Sequence, residues 1–409
     1  MLEAAGNYRE INPARRRRVA SLDGAFTIDD LRLLARRRLP AFVYEFIEGG
    51  AEAERTLRRN AAVFDDYRWL PRMAVDTARI DVATNLFGAS LTMPMVVAPM
   101  GFNGMSWHRG DRAIAEAAAA AGIPMAQSTA SMLAVEDVAS VPDLNHWFQL
   151  YPYGDDAVLQ RLLGRARDAG CQVLIVTVDG AVAGNRTWDQ RSFRAPGRLT
   201  LRSKLESLRH PSWLWNVILR NGPPNFVNLA EFVGDDDPDV YTVGRWIAAN
   251  RPHLDWDRLA RIRELWQGTL IVKGILRADE AREAVARGAQ GIVLSNHGGR
   301  QVDPTVSPLD VLPTIRHALG RDFPILVDSG YRTGNHVALA LALGADAVLI
   351  GRPALYGLAA AGRAGVERAF AILRSELIRT MALIGAPSLR ELQPHTVEGA
   401  SFVPVEEGP

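Results

Sequence analysis

Eight short apolar runs punctuate the chain between Met95 and Ile350, and stretches of helical period separate them. The runs are Met95–Ala98, Pro124–Gln127, Trp147–Leu150, Leu174–Val178, Leu270–Val272, Ile292–Ser295, Ile325–Val327 and Ala347–Ile350. Helical patterns lie at Asp111–Ala121, Asp155–Ala169, Ala278–Arg287, Pro308–Leu319 and Asn335–Leu343, each running into a glycine, as helices commonly do. Apolar runs without polar alternation read as strands buried on both faces, the condition of a parallel sheet covered by helices. Eight strand–helix units predict an α/β fold, a (β/α)8 TIM barrel with an N-terminal helical segment, in which a site is built from the residues just past each strand.

Those residues are polar. The positions are Pro99–Met100–Gly101, Ser128–Thr129, Gln149–Tyr151, Thr177–Asp179, Lys273, Ser295–His297, Asp328–Gly330 and Gly351–Arg352. A random surface would not place Lys273, His297, Asp328 and Arg352 each within two positions of an apolar run. Gly298 and Gly299 allow a sharp turn that puts His297 and Arg300 on one loop, where an imidazole suits proton transfer and a guanidinium fork matches a carboxylate. Taken singly, that loop would be a turn with a satisfied histidine; the set of strand ends argues otherwise. Asp328–Ser329–Gly330–Tyr331–Arg332 and Gly351–Arg352 follow the last two strands, where such barrels often hold a phosphate, so a mononucleotide cofactor or a phosphorylated substrate is expected. Lys273 leaves an apolar strand and needs an anionic partner. A cofactor that gains negative charge on reduction would supply one, and a Schiff-base lysine of an aldolase is the alternative. No dinucleotide fingerprint follows a strand, and there is no P-loop.

The 409 residues are 48% hydrophobic with a formal net charge of +1, enough for a large core and no net field to draw nucleic acid. The lone Cys171 excludes an internal disulfide framework and a multi-cysteine metal site, and no metal is expected. No apolar run approaches the roughly 20 residues of a membrane span, and no h-region follows the N-terminus, so a cytoplasmic location is expected. Residues 1–26, with the basic run Arg15–Arg18, read as an irregular tail, and 389–409 as a second one. A helix is expected to start at Thr27 with Asp30 completing its cap; the aromatic stripe of Phe42–Ile47 reads as core. Residues 187–255 interrupt the period as an insertion after strand 4. Within it lie the basic stretch Arg191–Arg209, the apolar patch Trp213–Leu219, Gly222–Pro224 and the acidic Asp235–Asp237. Tryptophans beside basic residues suit a membrane interface, and a lid or subunit contact competes with that reading.

Leu294–Gln301, with Leu270–Gly274 before it and Val327–Arg332 and Leu349–Pro353 after it, resembles the FMN-dependent 2-hydroxy acid dehydrogenase/oxidase family. The similarity runs from about Thr27 to Ser388, which defines a single barrel domain, 27–388, and includes Phe148–Tyr151 and Thr177–Asp179. Ser128–Ser131, Ala98–Gly101 and His210–Trp213 are most similar to the members that act on (S)-mandelate and, next, on L-lactate. The resemblance implies FMN as cofactor. By position, it implies that His297 takes a proton from the substrate, that Asp328 orients the imidazole, that Arg186 and Arg300 clamp the carboxylate, and that Tyr151 hydrogen-bonds the substrate. It places Lys273 at the N1/O2 edge of the flavin, and Pro99, Met100, Gly101, Ser128, Gln149, Tyr151 and Thr177 along the isoalloxazine and ribityl chain. Ser295, Asp328, Ser329, Gly330, Tyr331, Arg332, Gly351 and Arg352 take the ribityl and phosphate.

Two positions depart from the family. Phe46 stands where a carboxylate-binding tyrosine is usual; loss of one hydrogen bond to a charged group, about 1.5–3 kcal/mol, predicts weaker binding of small acids. Ala130 replaces a frequent tryptophan and leaves room for an aryl or long-chain substituent. The implied reaction oxidises an (S)-2-hydroxy acid to the 2-oxo acid and passes electrons to a quinone or other carrier; the alternative is an oxidase reducing O2 to H2O2. A homotetramer is also implied by the resemblance, while a peripheral contact with the inner face of the cell membrane through Trp213–Leu219 is the expectation from composition. Outside the family, the residues alone leave a cofactor-free aldolase or isomerase barrel and a flavin-binding module without turnover.

Overall fold

The computed structural model describes residues 19–195, 198–220, 222, 225–234, 238–251 and 254–399. Arg15–Arg18, Pro223–Pro224, Asp235–Asp237 and residues 400–409 lie outside the described residues. Eight strands close a barrel: β1 Met95–Val97, β2 Met125–Ser128, β3 His146–Leu150, β4 Val173–Thr177, β5 Thr269–Ile275, β6 Gly291–Leu294, β7 Ile325–Val327 and β8 Ala347–Ile350. All neighbours pair in parallel, and β8 returns to β1 with Val348 opposite Met95 and Ile350 opposite Val97. Each predicted run falls on one of these strands.

Strand periodicity sorts the side chains. Val96, Trp147, Val173, Ile175, Ile271, Val293, Leu326, Ala347 and Leu349 belong to one buried cluster inside the barrel, while the intervening Leu174, Val176, Leu270, Val272, Val348 and Ile350 pack with the helices. Both faces are therefore apolar, which is why the runs lack alternation. The hairpin Thr84–Leu86/Ala89–Leu91 closes the N-terminal end: Leu86 and Leu91 join the interior cluster, and the Phe87 ring meets Trp147 edge-on at 5.7 Å. One end of the barrel is plugged, so a site belongs at the other.

Local signals account for the framework helices. Thr27 and Asp30 form a reciprocal capping box for Ile28–Arg38, and Gly122 takes the left-handed conformation (φ 63°) that ends Gly110–Ala121. Helix Ala41–Glu48 buries Phe42, Val43, Tyr44 and Ile47. Cys171 is buried and its thiol is pushed up to about 12 by that burial, in keeping with an inert packing role.

Three expectations need correction. The strand after Leu270 does not stop at Val272 but runs to Ile275, with Lys273 inside it opposite Thr177 and Val293, and the register breaks only between Lys273 and Ile275. A charge ended the apolar run without ending the hydrogen-bonded ladder. Residues 389–399 are not a loose tail: Leu392 and Thr396 are buried, and Val397–Glu398 pairs antiparallel with Arg68–Trp69. The Trp213–Leu219 patch is divided. Trp213 is buried, donates to the Met105 carbonyl at 2.7 Å and meets Phe42 edge-on, whereas Trp215 and Leu219 are 64% and 70% exposed. Among the described residues no helix is long and apolar enough to cross a membrane.

Candidate active site

The alternation that fills the barrel with apolar side chains continues to its open, C-terminal end. Stepping two residues beyond the interior positions gives Ser128 after Ala126, Gln149 after Trp147, Thr177 after Ile175, Lys273 after Ile271, Ser295 after Val293 and Asp328 after Leu326. The top layer of the barrel is thus polar on six strands, and above it opens a cavity of about 360 Å³. Lys273 donates to Ser295 Oγ at 2.7 Å and pairs with Asp328 Oδ2 at 2.9 Å; Ser329 Oγ donates to Asp328 Oδ1 at 2.7 Å.

The His297 loop is held in an uncommon conformation. His297, Gly298 and Gly299 are all left-handed, with φ of 59°, 67° and 76°, and a Cβ at Gly299 would lie 2.7 Å from the Leu57 nitrogen. Hydrogen bonds over-determine that backbone. His297 N–H donates to Ser295 Oγ at 3.0 Å, Gly298 N–H to Ser329 Oγ at 3.0 Å, and Gly299 N–H to Asn296 Oδ1 at 3.0 Å. Asn296 in turn exchanges two buried amide hydrogen bonds with Asn60, of 2.7 and 2.8 Å.

The imidazole lies between an anion and a phenol. Nδ1 is 3.1 and 3.3 Å from the two Asp179 oxygens, and Nε2 is 3.3 Å from the Tyr151 hydroxyl. With Nδ1–H donating to the carboxylate, the Nε2 lone pair is the acceptor on the cavity side. Burial pushes the Asp179 carboxyl up, but His297 and Lys273 outweigh it and hold the group below its usual value. Burial, then the Asp179 charge, drives the Tyr151 phenol far above its usual range, so it remains a proton donor.

This corrects the role expected for Asp328, which pairs with Lys273 and does not contact His297. Asp179 is the residue the motif reading passed over. It was visible as a carboxylate two positions past β4, and the confirming partner is Gly274: a Cβ there would sit 2.9 Å from the Asp179 side chain, so glycine admits the carboxylate.

Arg300 donates to the Phe46 and Gly49 carbonyls at 2.8 and 2.9 Å and lies over the Phe46 ring, 5.1 Å from its centroid. Arg352 donates to the Ile47 and Gly298 carbonyls at 2.8 and 2.9 Å. Both therefore sit on carbonyls at and beside the C-terminal end of helix Ala41–Glu48, and among the described residues neither forms an ion pair with a carboxylate. Burial, then repulsion from Arg186 and Arg352, holds Arg300 well below its usual value; burial, then Arg332, lowers Arg352. Buried positive charge of this density is completed by anions.

Three buried polar atoms at this end have no partner: Thr177 Oγ1, Gln149 Nε2 and Tyr331 OH. Ser128 Oγ donates to Gln149 Oε1 at 2.8 Å, which turns the amide so that its nitrogen is the free end. A flat heterocycle edged with carbonyl and ring nitrogen atoms would satisfy such groups, and the Lys273 ammonium lies in the same layer. The residues present therefore fit FMN, with Arg332 and Arg352 available to its phosphate.

Of the expected site residues, Phe46, Pro99, Met100, Gly101, Ser128, Tyr151, Thr177, Arg186, Lys273, His297, Arg300, Asp328, Ser329, Gly330, Tyr331, Arg332, Gly351 and Arg352 line the one cavity. Gln149 and Ser295 stand just behind its wall through their bonds to Ser128 and Lys273. Phe102, Tyr153, Phe226, Ile247 and Arg251 also line it and were not anticipated. Phe226, Ile247 and Arg251 come from the insertion, where no strand end marks them.

The profile of the FMN-dependent dehydrogenase family matches residues 35–399. The L-lactate dehydrogenase of Ectopseudomonas mendocina is 41% identical over 364 residues, 89% of this chain and 96% of that protein. The crystal structure of the monotopic membrane protein (S)-mandelate dehydrogenase superposes with a TM-score of 0.87 at 38% identity, covering 92% of this chain and 100% of its own. Mandelate oxidase superposes with a TM-score of 0.77 at 32% identity, covering 92% and 98%. The match spans the barrel, its polar mouth and the insertion alike, and the chain belongs to the FMN-dependent dehydrogenase family of oxidoreductases.

Proposed function

We propose that the protein oxidises an (S)-2-hydroxy acid with an aryl or similarly bulky substituent to the 2-oxo acid, and passes the electrons to a quinone or comparable carrier. The observation that carries this reading is the His297 Nε2 lone pair, backed by Asp179 and set in the same cavity as two guanidiniums: Arg300, which forms no ion pair among the described residues, and Arg186, whose carboxylate neighbour Asp189 lies at 3.7 Å. The acid supplies the carboxylate for the guanidiniums and a hydroxyl for the imidazole.

FMN, when bound, would supply the acceptor for the two electrons and for the one hydrogen of the substrate that His297 does not take. The chain's own residues do the rest. Arg186 and Arg300 fix the carboxylate and so orient C2, and the Tyr151 hydroxyl, 3.3 Å from Nε2 and lining the same cavity, donates to a substrate oxygen. His297 Nε2 takes a proton from the substrate, and Asp179 stabilises the imidazolium that forms. Lys273, fixed by Asp328 and Ser295, would set its ammonium toward the negative charge that the cofactor gains on reduction.

The bulky substituent is supported by an apolar wall. Phe46 meets Phe102 at 5.5 Å and Phe102 meets Phe226 at 4.5 Å, both edge-on, and Ala130 also faces the cavity. Mandelate has an apolar ring to set against it; lactate has only a methyl group.

A membrane-borne acceptor is supported by the insertion. Leu201, Leu205 and Leu208 are 63%, 58% and 66% exposed, near the exposed Trp215 and Leu219 in sequence and accompanied by exposed Arg202, Lys204, Arg209 and Arg220. The similarity to a monotopic membrane protein accords with this; a homotetramer remains part of the proposal by family resemblance.

An anaerobic absorbance titration with mandelate, lactate, glycolate and long-chain 2-hydroxy acids tests the substrate. Bleaching of the flavin band, most readily by mandelate-like acids, is expected; no bleaching by any of them would refute the reading. Similarity to mandelate oxidase favours a second outcome, electron transfer to O2. Stopped-flow mixing of reduced enzyme with air decides between them: a dehydrogenase reoxidises slowly, and an oxidase within milliseconds.

A further inference from the structure

The cavity has a further cationic group, beside Arg186, Lys273, Arg300, Arg332 and Arg352, to which the reading above gives no role. Arg251 lines it from the segment after helix Val240–Ala249, and the neighbouring Asn250 carbonyl accepts the Gly154 N–H at 2.9 Å, which ties this part of the insertion to the loop after β3. Two observations set Arg251 apart from the carboxylate clamp. The charged groups felt by the Tyr151 phenol beside His297 are Asp179, Arg186 and Arg300, whereas Arg251 acts on Tyr153. The Tyr153 ring lies 5.7 Å from Tyr151, so the order along this wall is His297, Tyr151, Tyr153, Arg251. The Phe46, Phe102, Phe226 series makes an apolar wall of the same cavity. Among the described residues no carboxylate forms an ion pair with Arg251.

We infer that Arg251 is a specificity residue that contacts an anionic group at the far end of the substrate, so that the preferred 2-hydroxy acid carries negative charge at both ends of an apolar, ring-sized body. This rests on the 2-hydroxy acid reading and adds the second charge to it. The chemistry is that of an aryl 2-hydroxy acid with a carboxylate on the ring: the α-carboxylate at Arg186 and Arg300, the ring against Phe102 and Phe226, and the distal carboxylate at Arg251, with Tyr153 as a hydroxyl donor beside it.

The test compares 4-carboxymandelate with 4-methylmandelate, which has a similar outline and no second charge, by kcat/KM and by anaerobic flavin bleaching. The full-length, FMN-loaded enzyme is expected to favour the carboxylated acid by tenfold or more. In Arg251→Met that ratio should fall to near one, in Arg251→Lys most of it should remain, and in Arg251→Glu the methyl compound should be preferred. Melting temperature and flavin content show whether each variant is folded; if Arg251→Met is not, the wild-type and lysine ratios decide. A wild-type ratio near one, or one that survives Arg251→Met, overturns the inference. Bleaching by both acids without charge preference removes only the Arg251 contact, whereas no bleaching by either acid or by mandelate removes the 2-hydroxy acid reading with it.

Discussion

Replacing Asp179 by Asn keeps the shape and one acceptor oxygen beside His297 Nδ1 while removing the negative charge. At 3.1 Å, in a partly shielded site, the attraction between that carboxylate and an imidazolium is about 5 kcal/mol for an effective dielectric near 20. Some of it is cancelled by Lys273, which already acts on Asp179. A net loss of about 3–4 kcal/mol appears only as His297 gains its proton, so it falls on the rate: kcat/KM should drop between about 10² and 10³-fold, since each 1.36 kcal/mol is a factor of ten. The flavin spectrum should be retained, because Asp179 is bonded to the imidazole and not to the Lys273 layer. Asp328→Asn is the control. It leaves Lys273 without its carboxylate partner and should lower flavin occupancy or the rate of flavin reduction without removing the charge behind His297. Stopped-flow flavin reduction and flavin content, measured on both variants, separate the two roles. A loss in Asp179→Asn smaller than tenfold would refute the assignment of that carboxylate to the base.

Phe46→Tyr should restore a hydroxyl near Arg300 and lower KM for a small 2-hydroxy acid by roughly ten- to a hundredfold, the worth of one hydrogen bond to a charged group; an unchanged KM would show that the carboxylate sits elsewhere. His336 is stacked on Phe64 at 3.8 Å, and burial, then Arg332, lowers its imidazole to about 3. The folded form is then neutral while the unfolded form gains a proton below about pH 6.5, so stability should be lost by about 1.4 kcal/mol per pH unit as pH falls from 6.5 toward 3. His336→Gln should flatten a plot of melting temperature against pH over that window, and an unchanged slope would contradict the burial argument. Asn60→Leu removes two of the buried bonds of the Asn296 amide, leaving it those to the Val306 carbonyl and the Gly299 N–H, and should cost about 1–3 kcal/mol of stability, with a loss of kcat through the His297 loop; denaturant unfolding and single-turnover reduction measure the two effects.

The barrel was legible because it depends on repetition. Each buried strand needs an apolar run, and each run stands clear of its neighbours. Most of the site was legible for the same reason, since side chains at strand ends inherit the barrel's period. Lys273 shows the limit: composition marks where apolar residues stop, whereas a strand continues while its backbone remains paired. Asp328 and Asp179 show another. Both are carboxylates just past a strand, and which one meets His297 depends on the inward phase of the strands and on space left by Gly274, neither of which is a property of one motif. Phe226, Ile247 and Arg251 were not legible because an insertion has no period to count from. The split of Trp213 from Trp215 likewise depends on which side of a short helical turn meets Phe42 and Met105.

Among the described residues, the stopper formed by Phe87 and Trp147 leaves the barrel open at its other end. On the proposed reading the acid and the electron acceptor would share that opening, and the oxidised product would leave by it. The two halves of the catalytic cycle are then queued in time instead of running side by side. The doorframe is built partly by Phe226, Ile247 and Arg251, which belong to the same insertion as the segment proposed to rest on lipid.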